Sequence, residues 1–125
     1  MGQTSALKHE LLKREIRKQP HLIGLCDVIF AAEELMISGE KSMAKAPDLI
    51  FHGRFEDSKE EELYWILVEV KSTRTRENAE HASYQLASGK KYLQEHLNIG
   101  HDRIVTLLAY EGKDGEIKYE QIKIR

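Results

Sequence analysis

The chain has one cysteine and two prolines among its 125 residues, and no apolar run approaches the roughly 20 residues that span a bilayer. Cys26 alone can close no internal disulfide and build no multi-cysteine zinc site, which suits a reducing, cytoplasmic setting. The amino terminus shows no signal-peptide pattern, so the expectation is a soluble protein with no membrane partner. An excess of basic charge is missing too. A formal net charge of -2 and a pI near 6.3 exclude a broadly basic, histone-like binder. Any attraction to nucleic acid would have to come from a local patch or from bound cations. No repeat, low-complexity tract or Gly/Pro-rich linker divides the chain. Its length suits one domain over residues 1–125, with one core.

What is present is periodic. Residues 5–19 read as a helix stopped by Pro20, with Thr4 or Ser5 as cap. At 100° per residue, Leu7, Leu11, Leu12 and Ile16 fall on one arc with Glu15 near its middle, and Glu10 falls on the opposite side. A strand is expected around Val28-Ile29-Phe30 or Leu35-Met36-Ile37, although Ala31-Ala32-Glu33-Glu34 is equally compatible with helix. Residues 49–55 and 63–71 read as strands joined by a polar connection. Residues 76–97 read as a helix with the inner stripe Ala79, Ala82, Leu86, Gly89, Leu93 and Leu97, where Gly89 would permit close approach to a sheet. Residues 104–110 form a further strand. After a turn at Asp114-Gly115, the last strand carries Ile117 and Tyr119, then Ile122 and Ile124, a change of phase that suggests a bulge near Glu120.

Strand parity then places the charged residues. Asp48 and Ile50 share one face of their strand; Leu63, Trp65, Leu67, Glu69 and Lys71 share one face of the next, and Tyr64, Ile66, Val68 and Val70 line the other. A strand apolar on both faces is central and covered on both sides. Neither Asp48 nor Glu69 lies in a plain charge run, and a carboxylate beside so much apolar chain needs a partner. Taken singly, Asp48 reads as a turn aspartate after proline and Glu69/Lys71 as a same-face ion pair at a strand end.

Pro47-Asp48 followed by Glu69-Val70-Lys71, in the element order αβββαββ, resembles the PD-(D/E)XK nuclease superfamily. Residues 16–24 (Ile-Arg-Lys-Gln-Pro-His-Leu-Ile-Gly) and 68–73 (Val-Glu-Val-Lys-Ser-Thr) look most like archaeal-type Holliday-junction resolvases and DNA-repair endonucleases. The resemblance spans nearly the whole chain as architecture but only about a dozen residues as motif. It implies an α/β, restriction-endonuclease-like three-layer core, with a mixed sheet of about five strands flanked by helices.

It also implies an Mg²⁺-dependent endonuclease, with Mn²⁺ as a possible substitute and no other small-molecule cofactor, acting on DNA in repair, recombination or restriction. Asp48, Glu69 and Lys71 carry over as the catalytic triplet. Asp48 and Glu69 would hold the metal, with the Val70 carbonyl as a further ligand and waters completing the octahedron. Lys71 would orient or deprotonate the attacking water, or offset phosphate charge. The family places an acid on the first helix, and Glu15 is the residue whose phase faces the core; the bland alternative is a rim glutamate paired with a lysine. Some members place a glutamine over the site, matched by Gln85, although the tyrosine that usually follows soon after is found only at Tyr92.

Arg14, Arg17 and Lys18 on the first helix, with Arg74 and Arg76 after the motif lysine, offer phosphate contacts that read no base. Lys90-Lys91 read as a solvated helix face. His52, His81, His96 and His101 are scattered without metal-ligand spacing, and Trp65 reads as core. So small a nuclease would act as a homodimer, since one copy presents little surface to a duplex. Two other classes compete with this reading: a catalytically inactive nuclease-fold module binding nucleic acid or a partner protein, and an interaction domain whose motif residues are coincidental.

Overall fold

The computed structural model describes residues 5–33, 47–58 and 62–124. Helix α1 (Ser5–Lys18) leads through a 3-10 turn (Pro20–Ile23) into β1 (Leu25–Glu33), β2 (Leu49–Phe55) and β3 (Tyr64–Lys71). Helix α2 (Arg76–His96) follows, then a second 3-10 turn (His101–Arg103), β4 (Ile104–Glu111) and β5 (Ile117–Gln121). The five strands form one mixed sheet in the order β1-β2-β3-β4-β5. Its pairs are antiparallel except β3 and β4, which run parallel. A parallel pair needs a crossover, and α2 supplies it.

Each helix covers one face of the sheet. Leu12 and Ile16 of α1 pack with Leu49, Phe51, Ile66, Val68, Val70, Leu107 and Ala109. Ala82, Leu86 and Leu93 of α2 pack with Ile50, Leu67, Ile104 and Leu108 on the other side. The two faces of β3 therefore alternate as strand parity requires, and Ile66 through Val70 are all buried. A strand sealed on both sides is rigid, and its polar end inherits that rigidity.

Local chemistry sets the helix ends. Thr75 caps α2 by accepting the Asn78 amide at 3.0 Å, with Glu77 in the first turn, where a carboxylate favours the helix dipole. Pro20, which can donate no amide to a continuing helix, opens the 3-10 turn after α1, and Gly24 closes that turn at φ +78°.

Several expectations change in the structure. Residues 25–33 are strand throughout, so Ala31-Ala32-Glu33 is not helical; the alternative strand at residues 35–37 and the cap at Thr4 lie outside the described residues. The bulge expected near Glu120 is not there. The register from Leu107↔Gln121 to Glu111↔Ile117 is unbroken, and plain alternation sends Ile117 to the α1 core and Ile122 and Ile124 to the α2 core. The irregularity falls instead in β1, between Cys26 and Phe30, where Asp27 adopts φ +48° and Arg54 binds its carboxylate at 3.1 Å. Gly53 of β2 makes room for the bulge, since a Cβ there would lie 3.1 Å from the Val28 backbone.

Lys90 is also not solvated: it is buried and donates to the Ile124 carbonyl at 3.1 Å, which ties the last residues to α2. Lys91 is exposed, as expected.

Gly89 lets α2 lie close against Pro47 and β3. A Cβ at this position would lie 2.5 Å from Pro47 Cγ and 3.1 Å from Leu67 Cδ1, so the proline before Asp48 is pressed directly onto α2. Alanine gains about 1 kcal/mol of helix propensity over glycine, whereas overpacking a tight contact costs about 1–3 kcal/mol. Gly89→Ala is therefore expected to lower unfolding stability by about 1 kcal/mol in urea titrations. A more stable variant would show that α2 is not pressed on Pro47.

Candidate functional site

The pairing of β2 with β3 brings two acids face to face. Leu49 pairs with Val68, so Asp48, one step earlier, meets Glu69, one step later. Their contact is reciprocal. The Asp48 amide donates to Glu69 Oε1 at 3.2 Å, and the Val70 amide donates to Asp48 Oδ2 at 2.8 Å. Two strands that leave the ladder here thus satisfy their free amides with each other's carboxyl groups.

Lys71 lies on the Glu69 face by parity, its Nζ 3.5 Å from Glu69 Oε2. It also donates to Gln85 Oε1 on α2 at 3.4 Å. The glutamine singled out from the sequence thus meets the motif lysine. Access is graded: the Glu69 side chain is 2% exposed, Asp48 15% and Lys71 20%, so the lysine and aspartate open outward over a buried glutamate.

Burial and proximity set the charges. Glu69 is pushed up to about 9, first by burial, then by its hydrogen bond to Asp48 and the repulsion between the two groups, with Lys71 pulling the other way. Burial also opposes ionisation of Asp48, but hydrogen bonds from His9, Glu69 and the Val70 amide outweigh it and hold the group below the usual carboxylate range. At neutral pH the pair is one carboxylate beside one carboxylic acid.

The first helix contributes a residue that sequence reasoning missed. His9 Nε2 lies 3.1 Å from Asp48 Oδ2, and the hydrogen bond to Asp48 raises the imidazole pKa against the lowering effect of burial. Glu15, expected to face the core, is exposed and accepts a hydrogen bond from Gln19 at 3.1 Å. The phase of α1 is the cause. Leu7 and Leu11 stay 49% and 39% exposed, while Leu12, Lys13 and Ile16 are buried and His9 is half-buried. The inward face is therefore 9-12-13-16 rather than 7-11-12-16. Two polar residues can face inward because each has a carboxylate, His9 on Asp48 and Lys13 on Glu10 at 3.4 Å. A i, i+3, i+4, i+7 pattern with a histidine one helical turn before the first buried leucine was the signal available in the sequence.

The candidate phosphate contacts are spread over the surface. Arg74 is bound to Glu120 at 2.8 Å, Arg76 to Glu80 at 3.5 Å and Arg17 to Glu33 at 3.4 Å, while Arg14 and Lys18 are exposed. Exposed pairs of this kind contribute only about 0–1 kcal/mol, so each arginine could exchange its carboxylate for a phosphate. His52, assigned no role from sequence, stacks on Trp65 with ring centroids 4.2 Å apart. An open cleft of about 1080 Å³ at the start of β4 is lined by Phe55, Tyr64, Lys90, Thr106 and Tyr119 and includes none of Asp48, Glu69 and Lys71.

Compared with protein-family models, with curated proteins and with solved structures, the chain has no match.

The charge arrangement predicts a pH dependence with a definite sign. An unfolded glutamate ionises near 4.5, whereas Glu69 in the fold holds its proton to about 9. Between those values the folded chain binds more protons, so this group's contribution to stability is complete below 4.5 and declines as pH rises through the window. Glu69→Gln keeps the neutral form and the acceptor oxygen. In thermal melts with EDTA it should match the native protein near pH 4.5 and become progressively more stable than it towards pH 9. A constant difference across that range would contradict a protonated Glu69.

Proposed function

We propose that the chain is a metal-dependent DNA endonuclease of the PD-(D/E)XK kind on a restriction-endonuclease-like core, serving DNA repair, recombination or restriction. The observation that carries this reading is the convergence of Asp48, Glu69 and Lys71 at one end of two neighbouring central strands, with Gln85 of α2 against the lysine.

The donor set suits Mg²⁺ or Mn²⁺. Both are hard cations that take oxygen ligands, and Mg²⁺ is held by one or two carboxylates while keeping several waters. Among the described residues no three His, Cys, Asp or Glu side chains form a group able to hold a metal ion. A cation bound by Asp48, Glu69, the Val70 carbonyl and water does not require one. When bound, it would supply a water of lowered pKa and neutralise charge at the phosphorus.

The chain's own residues fit the remaining tasks. Asp48 and Glu69 would present oxygens to the cation, and the fixed ladder behind them means that little reorganisation is needed. Lys71 reaches the same space, and its ammonium could orient the attacking water or meet a phosphate oxygen. Gln85 restrains that ammonium from the helix side. Arg74 and Arg76, a few residues beyond the lysine, would exchange their glutamate partners for flanking phosphates, with Arg14, Arg17 and Lys18 as a further basic group on α1. DNA in a cytoplasmic setting would be the partner, engaged by a homodimer that doubles the small contact surface of one copy.

Mg²⁺-dependent cleavage of linear, branched or single-stranded DNA tests this reading. Asp48→Ala and Lys71→Ala are each expected to reduce it by about 10²-fold or more while leaving the fold intact by circular dichroism. Undiminished cleavage in both variants would remove the site assignment. Absence of cleavage by the native protein, with DNA binding retained, would instead favour an inactive nuclease-fold module.

A further inference from the structure

The Asp48 carboxylate has two oxygens, and the structure treats them differently. Oδ2 receives the Val70 amide at 2.8 Å and lies 3.1 Å from His9 Nε2, which uses its lone pairs on two N–H groups from two different layers of the fold. We propose that His9 is a positioning residue that, with the Val70 amide, saturates Oδ2 and leaves Oδ1 as the oxygen Asp48 offers to a divalent cation. The hydrogen bond that Glu69 makes to Asp48 would give way to that cation. This inference rests on the cation site proposed above and adds to it a residue from α1.

The surroundings of His9 support a fixed role. The imidazole is half-buried, with Nε2 towards Asp48 and Nδ1 3.8 Å from Glu10 Oε1. Glu10 also binds Lys13, whose side chain is 4% exposed, so the ring is flanked by groups that are themselves held. One residue earlier, Lys8 pairs with Glu111 at 2.7 Å, anchoring the first turns of α1 to the end of β4. The helix is thus tied to the sheet one residue before His9. A carboxylate held through one oxygen by two donors can rotate little, and a ligand that rotates little binds a small cation with less loss of freedom.

A histidine bonded to a ligating carboxylate is an outer-shell group, and removing such a group typically weakens metal binding by about 10–100-fold. Gln keeps an N–H donor at a reach similar to Nε2, whereas Met fills comparable space without a donor. Binding of Mn²⁺ alone, followed by loss of the free-ion paramagnetic resonance signal, reads affinity without any turnover. We expect His9→Met to bind Mn²⁺ about 10–100-fold more weakly than the native chain and His9→Gln to recover most of that loss. Arg103→Ala, which breaks a surface ion pair with Glu62 at the opposite end of β3, should bind normally.

The alternative results separate cleanly. If His9→Met binds as tightly as the native chain, the positioning role fails while the nuclease reading stands. Equal loss in the Met and Gln variants also overturns it, because the imidazole would then be a ligand itself rather than a donor to one. No saturable Mn²⁺ binding by the native protein would overturn this inference and the cation reading together.

Discussion

Two carboxyl groups on adjacent strands, each accepting a backbone amide from the other strand, form the contact to which the site's other residues are tied. Register forces it: once Leu49 pairs with Val68, Asp48 and Glu69 have nowhere to go but towards each other. The two acids repel, and burial makes the repulsion worse, yet each also satisfies an amide at the ladder's end that would otherwise lack a partner. The compromise is a proton held by Glu69 to about 9. A divalent cation would resolve the same conflict by replacing that proton with charge shared between both groups.

Each layer of the fold supports this contact from its own side. From α2, Gly89 lets Pro47 pack against the helix and so fixes the residue preceding Asp48, while Gln85 reaches Lys71. From α1, His9 reaches Asp48. Between them, β3 is buried on both faces from Ile66 to Val70. Such a site is assembled from three layers, which is why a motif of so few residues needs most of a 125-residue chain to position it.

The sheet and the site differ in how far they were legible from sequence. Period-two alternation is unambiguous where both faces of a strand are apolar, so the faces of β2 and β3, the orientation of Glu69 and Lys71, and the stripe on α2 from Ala79 to Leu93 could all be read directly; Leu97, expected on the same stripe, is the C-cap and 51% exposed. Helix α1 could not, because its leucines outnumber the positions the core can take. Leu7 and Leu11 were left outside, while His9 and Lys13 turned inward to carboxylates that sit 39 and 3 residues away along the chain. Hydropathy does not register the partner of a polar residue, whether it lies 3 or 39 residues away. The same limit hid Lys90, whose acceptor is a carbonyl 34 residues on. In β5 the register is regular, with no slip in phase: Ile117 packs on the α1 core, Tyr119 is largely exposed, and Ile122 and Ile124, just past the strand, pack on the α2 core. The real bulge in β1 had only Asp27 and its opposing Gly53 as markers, neither of which is specific.

Near-neutral net charge shapes the functional account as well. A chain of formal charge -2 gains little from long-range attraction to a polyanion, and its arginines near the site are already paired with glutamates. Engagement of a phosphate would therefore depend on charge delivered locally, at Lys71 and at a cation between Asp48 and Glu69. Where that cation sits is the most direct measurement. In crystals soaked with Mn²⁺, the account predicts an anomalous-scattering peak about 2 Å from a carboxylate oxygen of both Asp48 and Glu69, with Asp48 contributing Oδ1. Asp48 and Glu69 still bonded to each other, with no peak between them at saturating Mn²⁺, would contradict it.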